Sequence, residues 1–106
     1  MVFRVQLRME IKPGHEADFE RVWREIGDAV TGHPANLGQW LARSLEEPGI
    51  YYITSDWVDE PRFRDFETSE GHLRHRTRLH PFRSGGSMTT MTVVAALGGG
   101  RSRSGR

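Results

Sequence analysis

From Arg4 to Ile11 polar and apolar residues alternate without a break: Val5, Leu7, Met9 and Ile11 on one side, Arg4, Gln6, Arg8 and Glu10 on the other. A period of two predicts a β-strand with a single apolar face. Lys12-Pro13-Gly14 ends it. The period then changes. Phe19, Val22, Trp23, Ile26 and Val30 recur at three- and four-residue steps, which makes one apolar stripe along an α-helix of roughly 15 to 17 residues. Glu16, Asp18 and Glu20 stand near its start, where the helix dipole favours negative charge. Gly32-His33-Pro34 supplies a stop.

Leu37 to Leu45 predicts a second strand, with Leu37, Leu41 and Leu45 on one parity and Trp40 and Ala42 on the other. Glu46-Glu47-Pro48-Gly49 is a turn, and Ile50 to Val58 follows as an aromatic, β-branched strand. The short connection makes the two an antiparallel hairpin. Asp59 is placed to cap a second helical region, with Pro61 in its first turn. Phe63, Phe66, Leu73 and Leu79 give that region its apolar side, and Thr68-Ser69-Glu70-Gly71 should divide it in two. Pro81 and Gly85-Gly86 are expected to close it, before a last strand from Met88 to Leu97. Gly98 to Arg106 contains only Gly, Ser and Arg, has nothing to bury, and is expected to be disordered.

The order β-α-β-β-α-β is that of a ferredoxin-like α+β domain over residues 1–97: an antiparallel four-stranded sheet with helices on one face. The other face has no covering element in this chain, so it either meets solvent or docks against a second sheet. At 106 residues the core is small, and a homodimer is the expected way to enlarge it.

Composition narrows the chemistry. There is no cysteine, which removes disulfides, thiolate nucleophiles and zinc ribbons. No apolar run approaches the roughly 20 residues of a membrane-spanning helix, and nothing at the start resembles a signal peptide, so a cytoplasmic protein is expected. The arginines from Arg62 to Arg83 are interrupted by Asp65, Glu67 and Glu70. That pattern describes a solvated helix face rather than a nucleic-acid-binding one.

Lys12-Pro13-Gly14-His15-Glu16 ahead of a Phe/Trp helix, Tyr52-Ile53-Thr54-Ser55-Asp56-Trp57, Asp59-Glu60-Pro61-Arg62-Phe63 and Ser69-Glu70-Gly71-His72 together resemble the antibiotic biosynthesis monooxygenase family. Within it they look closest to the small proteins of aromatic polyketide and spore-pigment clusters. The resemblance covers residues 3–97 and implies a dimeric α+β barrel. It also implies oxidation without flavin, haem or metal: a phenolic, anthrone-like polyketide loses a proton, and its carbanion reacts with O₂ as co-substrate to give a quinone. The family's tryptophan at the end of the third strand is present as Trp57. Its asparagine four residues earlier is replaced by Ile53, and its tyrosine six residues later by Phe63. An arginine on the following helix has its counterpart in either Arg76 or Arg78.

The candidate catalytic residues are therefore His72, His75 and Trp57, with Trp40, Tyr51, Tyr52, Phe63, Phe66 and Arg76 as candidate substrate contacts. His72 and His75 are three apart on a helix and offer a base near neutral pH. A metal site would need a third ligand at a recognisable spacing, and none is expected. His15 and His33 read as an exposed helix start and a loop residue. Three other functions fit the same scaffold: a polyketide cyclase, a non-catalytic polyketide-binding partner of a synthase, and a haem degrader. The last lacks its asparagine on the first strand and carries Phe66 where a tryptophan is required.

Overall fold

A computed structural model describes residues 1–98. The elements are β1 (Phe3–Ile11), α1 (Glu16–Thr31), β2 (Asn36–Arg43), β3 (Ile50–Trp57), α2 (Glu60–Glu67), α3 (Glu70–Leu79), a short 3₁₀ turn (His80–Phe82) and β4 (Arg83–Thr92). The strands form one antiparallel sheet in the order β2-β3-β1-β4. This is the ferredoxin-like α+β arrangement expected from the pattern.

The alternation of β1 decides which face is covered. Val5 and Ile11 are buried, and Leu7 and Met9 pack against the core. Pairing of Phe3 with Trp57 and of Leu7 with Ile53 puts Tyr51, Ile53, Ser55 and Trp57 on the same face. The stripe of α1 lies over one half of it, with Phe19, Val22 and Ile26 against Tyr51, Ile53 and Leu79. The other half is held by α2, whose Phe63 and Phe66 pack on Val5, Ala35 and Trp57. Arg78 of α3 reaches Glu25 of α1 at 2.6 Å and ties the two helical layers at the surface. The helix at Gly32 ends without a left-handed residue; a Cβ there would lie 2.9 Å from the Asp28 carbonyl oxygen.

The opposite face is a ladder of polar cross-strand pairs: Arg4 with Asp56, Gln6 with Thr54, Arg8 with Tyr52. The Arg4 guanidinium grips Asp56 with two hydrogen bonds of 2.7 and 2.8 Å.

Three expectations need correction. The last strand begins at Arg83, not Met88, because Gly85 and Gly86 pair with Glu10 and Met9 instead of closing the helical region. It ends at Thr92, opposite Phe3, with one further backbone bond from the Val93 N–H to the Val2 carbonyl at 3.0 Å; Val94 and Leu97 are exposed. The second strand is shorter than Leu37–Leu45: a register shift between Asn36 and Gly38 leaves Leu37 half out, and Leu45 lies exposed beyond the strand. Of the expected disordered tail, 98–106, all but Gly98 lies outside the described residues. Among the described residues no helix is long and apolar enough to cross a membrane.

Candidate functional site

The helix-side face of the sheet and α2–α3 enclose a continuous stack of rings. Phe63 follows the Asp59 cap, whose carboxylate accepts the Arg62 backbone N–H at 2.9 Å and fixes where α2 begins. One turn on, Phe66 faces the same way. Trp57 sits between them, 5.3 Å from Phe63 and 4.8 Å from Phe66, ring centre to ring centre. Only 1 % of Trp57 is exposed, and its indole N–H donates to Ser55 Oγ at 2.9 Å. Trp57 is therefore the floor of the stack, while its polar atom is spent inside the fold.

Ser69 joins the two helices across their break. Its hydroxyl donates to the Phe66 carbonyl at 2.7 Å and accepts the His72 backbone N–H at 3.3 Å, starting α3 one residue beyond it. That geometry lays the His72 imidazole 4.5 Å from the Phe66 ring. His72 Nδ1 and His75 Nδ1 are both enclosed and lack a hydrogen-bond partner in the protein. Burial pushes the His72 imidazole below its ordinary value; the Arg76 charge lowers it further, Glu67 opposes, and His75 adds a smaller lowering. Of the two arginines considered, Arg78 is committed to Glu25, whereas Arg76 is exposed and acts on His72 through its field. His72, Phe66, Phe63, Trp57 and Arg76 thus belong to one neighbourhood, with His75 one helical turn from His72.

Three candidate substrate contacts lie elsewhere. Tyr51 shares the helix-side face but is 1 % exposed, packed edge-on against Phe19 at 5.0 Å, with its hydroxyl donating to Glu20. Burial and the Glu20 carboxylate push its phenol up to about 12. Tyr52 has the opposite parity and stands on the polar face, opposite Arg8 and Ala42. Trp40 also projects from β2 on that parity, opposite Thr54, and is 53 % exposed. Its ring lies over Gly38, where φ is +148° and an added Cβ would come within 3.1 Å of the indole. This placement has a simple cause: strand parity is legible in the sequence, but which parity the helices cover depends on the pairing of β3 with β1. The replacement at Ile53 is structural as well as chemical, since its side chain is buried in the main core cluster and offers no hydrogen bond.

Sequence reasoning passed over His33. It is half-buried, with its ring 5.7 Å from Trp57 and 5.6 Å from Phe66, and its Nδ1 accepts the Ala35 backbone N–H at 3.1 Å. The His-Pro pair gave only a stop signal; that the stop folds back over the Trp57 ring is a tertiary fact. Ser55 was also missed, although its spacing of two from Trp57 on one strand puts both on one face. Among the described residues no cluster of three or more His, Asp or Glu is placed to hold a metal ion.

Residues 2–78 match the family model described as "Antibiotic biosynthesis monooxygenase". The chain is 33% identical over 79 residues to protein SchA of Streptomyces halstedii, an alignment covering 74% of this chain and 21% of that protein. It is 30% identical over 70 residues to the 42.8 kDa protein in the whiE locus of Streptomyces coelicolor, covering 66% of this chain and 18% of the other. The chain thus spans about a fifth of the length of these relatives. In fold it is similar to SnoaB of Streptomyces nogalater, a cofactor-independent oxygenase, with a TM-score of 0.81, 22% identity, and coverage of 91% of this chain and 96% of that one.

Proposed function

The chain belongs to the antibiotic biosynthesis monooxygenase family, and from that premise we propose that it oxidises a phenolic, anthrone-like polyketide with O₂, using no cofactor. The observation that carries this reading is His72: an imidazole laid on an aromatic stack, its Nδ1 enclosed and unpartnered, with burial and Arg76 both favouring its unprotonated form. Such a group is a base held ready for a proton that the protein itself does not supply. With Nδ1 enclosed, Nε2 is the ring nitrogen left open, and a substrate hydroxyl or acidic C–H would give its proton there.

Phe66, itself buried, backs the His72 ring, and Arg76, exposed on the same helix as His72, supplies a positive charge for the enolate that forms. The chemistry balances without a further oxidant. His72 takes one proton from the anthrone methylene, and the carbanion donates its electrons to O₂. The carbon loses two hydrogens and gains one oxygen atom; the second oxygen leaves as water. His75, one turn away, is placed to relay or share the proton. SnoaB, described as a cofactor-independent oxygenase, supports the class of reaction through its shared fold alone. A homodimer closed over the polar sheet face completes this reading.

A second reading, cyclisation of a polyketide chain by the same base, is favoured by Ile53, which removes a hydrogen-bonding group from the helix-side face. Oxygen separates the two. Incubation of purified, metal-free protein with anthrone should give protein-dependent O₂ uptake matched by quinone absorbance. His72→Gln should slow it by about 10²–10⁴-fold, the range for loss of a general base. Substrate binding without O₂ uptake would overturn monooxygenation and leave cyclisation. An unaffected His72→Gln variant would remove His72 from the role of base.

A further inference from the structure

A concavity lies between the turn joining α1 to β2 and the first two turns of α2. It is an open concavity of about 470 Å³ lined by His33, Pro34, Ala35, Val58, Arg62 and Asp65. Its floor is fixed: the Val58 backbone N–H donates to the Ala35 carbonyl at 2.9 Å, and the His33 ring is backed by Trp57 and Phe66. Nothing in the reaction proposed above uses these groups.

The polar groups around the cleft are of three kinds. His33 Nδ1 accepts from Ala35, so the ring proton is on Nε2, and that N–H is the ring's remaining donor. Arg62 spends Nη1 on Asp59 at 2.7 Å and retains the rest of its guanidinium fork. Asp65, three residues on along α2, brings an exposed carboxylate to the same cleft. Val58 is 39% exposed although Trp57 before it is buried, and with Pro34 and Ala35 it gives the cleft its apolar part.

We infer that this cleft binds a small hydroxylated aromatic carboxylate, its ring against Pro34 and Val58, its carboxylate on Arg62 and His33 Nε2–H, and its hydroxyl donating to Asp65. The pairing of a cation and an anion one helical turn apart favours a ligand that bonds both and disfavours a dianion, which Asp65 would repel. The cleft shares its backing rings, Trp57 and Phe66, with the His72 neighbourhood but none of its lining residues, so its test does not depend on the oxygenase reading.

The test uses 4-hydroxybenzoate as probe, with benzoate and phenol as comparisons, by isothermal titration calorimetry and by side-chain ¹⁵N NMR of the histidines. Arg62 and Asp65 are exposed, so Arg62→Gln and Asp65→Asn should leave the fold intact. Expected are a shift at His33 Nε2, binding weakened about tenfold by Arg62→Gln and about threefold or more by Asp65→Asn, as for loss of a charge-assisted hydrogen bond. His72→Gln should bind the probe as the unmodified protein does. Absence of probe binding, equal affinity for all variants, or a shift at His72 in place of His33 would each overturn the assignment.

Discussion

Replacing Trp57 by Phe tests whether the buried indole is held by its hydrogen bond as well as by its packing. The substitution removes two ring carbons and the N–H from a side chain only 1 % exposed. At about 0.8 kcal/mol per buried carbon, the lost burial costs about 1.6 kcal/mol. The Ser55 hydroxyl, 9% exposed, then loses the donor it accepts from at 2.9 Å. A buried hydrogen bond contributes about 1 kcal/mol net, which brings the single substitution to about 2.5 kcal/mol. For a domain of this size that lowers the melting temperature by roughly 10–20 °C. Ser55→Ala strands the indole N–H instead and should cost about 1–2 kcal/mol. The double variant has neither partner and nothing left unsatisfied, so it should be less destabilised than the sum by about 1 kcal/mol. Urea unfolding followed by far-UV circular dichroism measures all four proteins, at one fixed concentration because self-association would shift the midpoints. Additivity within about 0.3 kcal/mol would show that the Trp57–Ser55 bond adds nothing to packing, and the reasoning would fail.

Three further outcomes follow from the charged and titrating groups. Because the folded His72 lies below its ordinary value of about 6.5, its contribution to stability is intact above that pH and is lost as pH falls toward the folded value; urea midpoints between pH 7.5 and 5 should fall less steeply in His72→Gln, and equal slopes would contradict it. Tyr51 is raised to about 12, so its contribution is present below about pH 10 and lost as pH rises toward 12. An ultraviolet titration should show one phenol ionising near the upper value and disappearing in Tyr51→Phe. On the polar face, Arg4→Met leaves a carboxylate that is 8% exposed without its cation, whereas Asp56→Asn leaves a more exposed guanidinium. Arg4→Met should therefore lower the urea midpoint more than Asp56→Asn does, and the reverse order would refute the burial argument.

Much of the fold was legible because each element carries its own period. The two-residue alternation of Arg4–Ile11 fixes a one-faced strand, the Phe19-to-Val30 stripe fixes a helix, and Asp59 with Pro61 fixes a helix start; each rests on interactions within a few residues. The order of those elements admits few topologies, and the four-stranded antiparallel sheet is the one found. Legibility ended where the deciding contact is long-range. Gly85-Gly86 reads locally as a break, yet the hydrogen-bonding edge of β1 at Met9 and Glu10 recruits it into β4.

The candidate site divides on the same line. That His72 and His75 share one helix, and that Phe63 and Phe66 share the apolar side of the helix before it, are matters of spacing and were determined by the sequence. Only the tertiary structure decided that Trp40 and Tyr52 stand on the polar face of the sheet, that Tyr51 is sealed against Phe19, and that His33 closes over Trp57. The physical reason is that a strand's parity gives two faces without saying which one is buried. That choice is made by the register between β1 and β3 and by the helices that settle on one side, and both are properties of residues some fifty positions apart.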